Sequence, residues 1–184
     1  LSENKYLGAD YVANLQMAGS ANLVRAWLAG DWSVIEGAFF DNWKHDRHVV
    51  RPFVIPRDWV RFRAMDWGSA APFCVLWCAV ATEDYQLGDG RILPRHGIVV
   101  YREWYGASAP NVGIKLTADE VARGIAQRDA GEGFSYSVLD PAAFARDGGP
   151  SLAERMADAA PTVLFRKADN KRVADRGALG GWDQ

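Results

Sequence analysis

From Val60 onward the apolar residues of this chain gather in short, strand-like runs, and the order of those runs constrains the fold more than anything else in the sequence. Val60 to Trp67, Pro72 to Ala81 and Gly97 to Tyr105 follow one another joined only by loops, so they can pair antiparallel. Pro72 fits only at the start of its strand, and Glu83 to Pro94 reads as a polar loop with Gly88 and Gly90. Ile98, Val99, Val100, Tyr101 and Trp104 give the third run its β-branched and aromatic character. Helix and strand then alternate. Thr117-Ala118-Asp119-Glu120 is a capping box that opens a helix to about Arg128, with Val121, Ile125 and the Arg128 stem as its inner stripe. Residues 135–140 form a fourth strand that ends at Asp140 and is closed by Pro141. Ser151 opens a helix through Ala159 with Leu152 and Met156 facing inward. Pro161 ends it, and Thr162-Val163-Leu164-Phe165 is a short buried strand. Strands that alternate with helices run parallel through right-handed crossovers. The order β-β-β-α-β-α-β therefore predicts an α/β chain with a mixed sheet.

That order resembles the ribonuclease H-like fold, in which the first and fourth strands are neighbours. Two of the strands end on acids: Met65-Asp66-Trp67-Gly68 and Leu139-Asp140-Pro141. Neighbouring strands lie about 4.8 Å apart. The carboxylates of Asp66 and Asp140 can then share one divalent ion, or two ions ~3.5–4 Å apart as in two-metal nucleases. Oxygen donors completed by water suit Mg²⁺ or Mn²⁺. Asp66 follows a run able to be buried, where a carboxylate is costly unless it is paired or metal-bound. Each acid also has a plainer local reading: Asp66 as the cap of a turn at Gly68, and Asp140 as a turn-initiating Asp-Pro. A third acid is usual in such sites. Glu120, Asp169, Asp175 and Asp183 are candidates; Glu120 reads better as the capping-box acid and the others sit in a polar tail, so none is assigned.

Before Val60 the chain is of another kind. Asp10 can cap a helix through Tyr11, Leu15 and Ala18, stopped by Gly19. Ser20 or Asn22 can start a second, carrying Leu23, Ala26 and Trp27 to Gly30. This is an N-terminal helical leader. Residues 31–59 carry Trp32, Phe39, Phe40, Trp43 and Phe53 with Pro52 and Pro56, which suits a connector with packed anchors. The first residues are Leu1-Ser2-Glu3 with no Met, so the chain reads as a piece of a longer protein.

Bulk properties exclude several classes. A net charge of −2 argues against a protein that coats nucleic acid by charge alone, though not against a local basic patch. The cluster Arg166, Lys167, Lys171, Arg172 and Arg176 can serve as such a patch for a DNA backbone, or simply be a solvated basic loop. Eight Trp are more than a domain of this size fully buries, which points to a docking surface. Cys74 and Cys78 fall on one face of a strand roughly 13 Å apart, too far for a disulfide, and read as free thiols in a reducing compartment. No apolar run approaches the ~20 residues of a membrane span. His45 and His48 lack the further ligands a zinc site needs. Gly177 to Gly181 is not a phosphate loop, because no Lys-Ser/Thr follows, and no Walker-type loop occurs elsewhere.

Several stretches carry a closer likeness. Trp27-Leu28-Ala29-Gly30-Asp31-Trp32, Gly37-Ala38-Phe39-Phe40, Pro52-Phe53-Val54-Ile55-Pro56 and Met65-Asp66-Trp67-Gly68 with Pro72-Phe73 occur in this order. Leu139-Asp140-Pro141-Ala142 and Lys167-Ala168-Asp169-Asn170-Lys171-Arg172 come after them. Together they resemble the large terminase subunit of tailed bacteriophages. Large terminases are DNA-packaging motors with an N-terminal ATPase domain and a C-terminal nuclease domain that cuts concatemeric viral DNA. The resemblance implies that residues 1–55 are the helical tail of the ATPase domain and its connector, and that 56–184 are the nuclease domain, truncated at its C-terminal end. It implies that Asp66 and Asp140 are catalytic metal ligands, that the remaining acid or histidine lies after Gln184, and that Arg166, Lys167, Lys171 and Arg172 meet the DNA backbone. ATP would belong only to the missing ATPase domain. Double-stranded DNA is the implied substrate, portal and small terminase subunit the partners of the full-length protein, and the cytoplasm of the bacterial host, not the mature virion, its place. Two rivals stand beside this reading: another ribonuclease H-like enzyme, such as a junction resolvase or transposase core, and a non-catalytic packaging or docking module of the same fold.

Overall fold

A computed structural model describes residues 43–169. The chain divides into two compact units, 1–50 and 51–184. Of the first, the described part is a short helix α1, His45–His48, on which the Trp43 ring stacks against His48. The leader helices expected before residue 31 lie outside the described residues.

The second unit is built on a five-stranded mixed sheet. Its strands are β1 (Val60–Asp66), β2 (Cys74–Val80), β5 (Ile98–Tyr105), β8 (Tyr136–Leu139) and β9 (Arg166–Lys167), in spatial order β5-β2-β1-β8-β9. β5, β2 and β1 pair antiparallel, whereas β1 with β8 and β8 with β9 pair parallel. Two small ladders flank it: β3 (Tyr85–Gln86) with β4 (Ile92–Leu93), and β6 (Ala107–Ala109) with β7 (Val112–Gly113). The first of these ladders falls inside the stretch read as a polar loop. Tyr85 and Leu93 pack on Trp59, Ala79 and Val99, and that apolar contact supplies what the polar spacing did not show.

Helix α2, Ala118–Asp129, begins at the Thr117–Glu120 capping box, which satisfies both the Thr117 and Glu120 backbone N–H groups. Helix α3, Leu152–Ala159, begins at a second capping box formed by Ser151 and Glu154. Val121 and Ile125 of α2 and Met156 of α3 are fully buried against Val75, Trp77 and Leu139 of the sheet. Each such side chain contributes about 1.5–3 kcal/mol by leaving water. Arg128 is only partly as expected: its guanidinium lies 3.7 Å from the Trp104 ring centre and donates to the Gly124 carbonyl. The final strand differs from the sequence reading. Thr162 to Phe165 is an irregular connection in which Val163 alone is fully buried, and the ladder forms one step later at Arg166 and Lys167.

A charged pair sits inside this core. Arg63, 3% exposed, donates to Asp129 Oδ2 at 2.7 Å, to Ser137 Oγ at 2.9 Å and to the Thr162 carbonyl at 3.2 Å. The indole N–H of Trp77 donates to the other Asp129 oxygen at 2.9 Å. Burial lowers the basicity of Arg63 and raises the Asp129 pKa, and their mutual attraction opposes both effects. The network ties β1, β2, β8, α2 and the connection before β9 together.

Candidate functional site

The parallel register of β1 and β8 decides where the two acids fall. Met65 is paired with Leu139, so Asp66, the last residue of β1, and Asp140, the first after β8, leave the sheet at the same end of two neighbouring strands. Neighbouring strands are about 4.8 Å apart. Both residues are exposed to solvent. The run before Asp66 is buried at Arg63 and Met65, but Asp66 itself falls past the last buried residue of its strand and carries no burial cost.

The turns that carry the chain away from the two acids are tightly built. After Asp66 the chain turns at Gly68, where a Cβ would overlap the backbone oxygens of Ala71 and Pro72. The β6–β7 ladder holds this turn from outside: Gly113 N–H donates to Ala70 O at 2.7 Å, and a Cβ at Gly113 would overlap Ser69 and Ala71 oxygens. After Asp140 the chain enters a 3₁₀ turn, Pro141–Phe144, and Asp140 Oδ1 accepts the Ala142 N–H at 2.7 Å. Asp140 thus performs the turn-capping role its Asp-Pro sequence foretold. A carboxylate has about four lone-pair sites, so this bond leaves most of its acceptor capacity.

Two further groups share the Asp66 side of the sheet, and the sequence reading connected neither with Asp66. Cys74 is the register partner of Asp66 on β2, and Glu103 on β5 is the partner of Leu76 one pleat further on. Burial first, then the carboxylates of Glu103 and Asp66, push the Cys74 thiol above its ordinary value. Cys78, on the same side, is pushed up to about 11 by burial alone. Both thiols are free. The antiparallel pairing of the first three strands is the signal that would have brought Glu103 into view.

The remaining candidates separate. Glu120 is a capping-box acid: its Oε2 accepts from the Thr117 N–H and hydroxyl, each at 2.8 Å, and those bonds hold its pKa below the usual range. Asp169 is exposed two residues past β9. Asp175, Asp183, Lys171, Arg172 and Arg176 lie outside the described residues. Arg166 stacks its guanidinium 4.1 Å from the Tyr136 ring centre, and the Lys167 ammonium lies 5.8 Å from that of Phe144. Consecutive residues of a strand point to opposite faces, so these two exposed cations leave β9 on opposite faces of the sheet. His48 Nδ1 accepts from the Lys44 N–H at 2.9 Å.

Exposed carboxylate oxygens at the ends of two neighbouring strands are the donor type that a hard divalent cation takes. The number of donors is smaller than such sites use, for among the described residues no three histidine, cysteine or acidic side chains converge as a metal site.

No protein-family model and no curated protein matches the chain. Solved structures do. The large terminase of a thermophilic bacteriophage in complex with ADP is 15% identical at a TM-score of 0.45, covering 86% of this chain and 41% of its own. Another crystal of that enzyme gives 16% identity and a TM-score of 0.43 over 89% of this chain and 42% of its own. The nuclease domain of the P22 large terminase is 15% identical at a TM-score of 0.40, covering 70% of this chain and 55% of its own. The chain thus spans less than two thirds of each of these large terminase structures.

Proposed function

We propose that residues from about 56 onward form a ribonuclease H-like, metal-dependent DNA endonuclease of a phage packaging terminase, which cuts concatemeric DNA. The observation that carries this reading is the β1–β8 register, which sets Asp66 beside Asp140 at one open edge of a mixed sheet. The order of terminase-like stretches along the sequence supports it from a separate direction. Residues 1–55 would then be the end of an ATPase domain and its connector, and ATP would act only through that domain.

Asp66 and Asp140 would hold Mg²⁺ or Mn²⁺. When bound, the ion would activate water and stabilise the charge that develops on the leaving oxygen. Asp66 offers both carboxylate oxygens, and Asp140 offers those not engaged by Ala142. Arg166 and Lys167 would position the DNA through its phosphates, together with Lys171 and Arg172. Contacts of this kind fix the register of the duplex without reading its sequence. The full-length protein would meet portal and small terminase subunit in the host cytoplasm and be absent from the mature virion. Among the described residues no helix is long and apolar enough to cross a membrane.

In the full-length protein, Asp66→Asn is expected to abolish Mn²⁺-dependent cleavage of plasmid DNA while leaving the thermal melt unchanged, as an exposed isosteric change should. Retained cutting would sink the assignment. A second reading, a docking module that keeps the fold without the chemistry, is favoured by the shortage of donors at the edge. That module would bind no Mn²⁺ in calorimetric titration, and its full-length form would cut nothing.

A further inference from the structure

The two acids are held in different ways. The Asp140 carboxylate accepts the Ala142 N–H and is fixed by its own cap. No described residue donates a hydrogen bond to the Asp66 carboxylate, so its place is set through its backbone. On one side that backbone ends the β1–β2 ladder, opposite Cys74. On the other it enters the turn of residues 67–73, which is stitched to the β6–β7 ladder at two points. Gly106 N–H donates to Phe73 O at 2.9 Å, and Gly113 N–H donates to Ala70 O at 2.7 Å.

The ladder is the stiffer partner. It follows β5 directly through Gly106, and Ile114 N–H donates back to Gly106 O at 3.1 Å. Its far end runs into Leu116, packed on the core, and then into the Thr117 cap of α2. Asn111 at φ 60 and Lys115 at φ 58, two residues to either side of Gly113, take the left-handed conformation that L-residues rarely adopt. Such strain persists only where the surroundings over-determine it. The Phe73 end of the turn is also locked: Phe73 is buried, with its ring edge-on to Trp104. A Cβ at Gly113 would meet the backbone oxygens of Ser69 and Ala71, which cannot rotate away as a side chain could. The displacement would therefore pass along the turn toward Asp66.

We propose that Gly113 is a positioning residue for Asp66: without a Cβ, it lets the β6–β7 ladder close on the turn and fix the end of β1. The role rests on the reading of Asp66 as a ligand of Mg²⁺ or Mn²⁺. Misplacing a reacting group by about 1 Å can cost ~10²-fold in rate. Loss of a group that orients a metal ligand typically costs ~10–100-fold in metal affinity.

In the full-length protein, Gly113→Ala is expected to raise the Mn²⁺ concentration at half-saturation by about tenfold in calorimetric titration, and to lower kcat for plasmid cleavage with KM for DNA unchanged. A loss of folded protein would instead lower the stoichiometry and leave the midpoint in place. Gly97→Ala, which crowds the Pro94 backbone oxygen at the opposite end of β5, should keep the parent midpoint. Because alanine at 113 could prevent folding, a second measurement uses the unchanged protein. By linkage, if the Gly113 bond raises metal affinity, bound metal must hold that bond closed. Exchange of the Gly113 amide should slow about tenfold on saturation with Mg²⁺, while the Leu87 amide, bonded to Arg91 O in the β3–β4 ladder, keeps its rate. Suppose the protein binds Mn²⁺ and Asp66→Asn does not. Then an unchanged midpoint for Gly113→Ala, or Gly113 exchange indifferent to Mg²⁺, overturns the positioning role and leaves the nuclease reading standing. A protein that binds no metal, or whose binding survives Asp66→Asn, overturns both.

Discussion

Asp140 holds the Ala142 N–H and sits beside Asp66, so its two properties can be separated by substitution. Asparagine keeps an oxygen for the cap and removes the charge; alanine removes both. Asp140→Asn is therefore expected to leave stability nearly unchanged while removing Mn²⁺ affinity, and Asp140→Ala to cost in addition about 0.5–2 kcal/mol as a lost cap. Urea unfolding of the two variants, beside Mn²⁺ titration, checks this. Equal stability of both would show that the cap contributes nothing. The acids themselves were legible in the sequence because each ends an apolar run and precedes a turn residue, Gly68 or Pro141. Their exposure was not. Burial of Asp66 depends on where the pleat ends relative to the helices packed on the far side, and no local pattern records that.

At the scale of elements, α2 and α3 start where a side-chain oxygen and an acid three residues on satisfy free N–H groups, and those starts could be read directly. The end of α2 is less favourable. Ala130 there adopts φ 52, a left-handed conformation in which a Cβ is strained. Ala130→Gly is expected to raise stability by about 1 kcal/mol, the cost of a Cβ in that region. A lower denaturation midpoint would refute it. At the start of α3, Glu154 is held by Arg146 first, then by the Ser151 N–H and hydroxyl, so that its pKa falls from 4.5 to about 2. A depressed acid stabilises the fold fully above its unfolded value and loses that contribution as pH falls through its folded value. Melting temperature should therefore fall as pH drops from 4.5 toward about 2. Arg146→Gln should flatten that fall; an identical pH profile would show the contact to be idle. The last strand was misplaced by the same local logic that succeeded elsewhere. Thr162 to Phe165 has the composition of a strand, but parallel pairing to β8 begins only at Arg166.

The core of the second unit is tied by a group the sequence gives no reason to single out. Arg63 lies between Phe62 and Ala64 in a strand, and its partners Asp129, Ser137 and Thr162 come from three distant parts of the chain. Asp129→Ala would leave a guanidinium buried and uncompensated, at a cost of about 3–5 kcal/mol. Guanidinium-chloride unfolding measures it, and a loss below about 1 kcal/mol, the level of an exposed pair, would mean that Arg63 finds water instead. By itself the sequence determined the kinds of element, the helix starts and the acids that end two strands, because alternation, capping and turn chemistry act over a few residues. Only the tertiary structure decided which residues share an edge and which share a core. Register sets Asp66 beside Asp140, brings Glu103 and Cys74 to the same side and buries Arg63 on Asp129. Pairing between strands far apart in the chain is fixed by the burial of one common face, and no short stretch of sequence contains it.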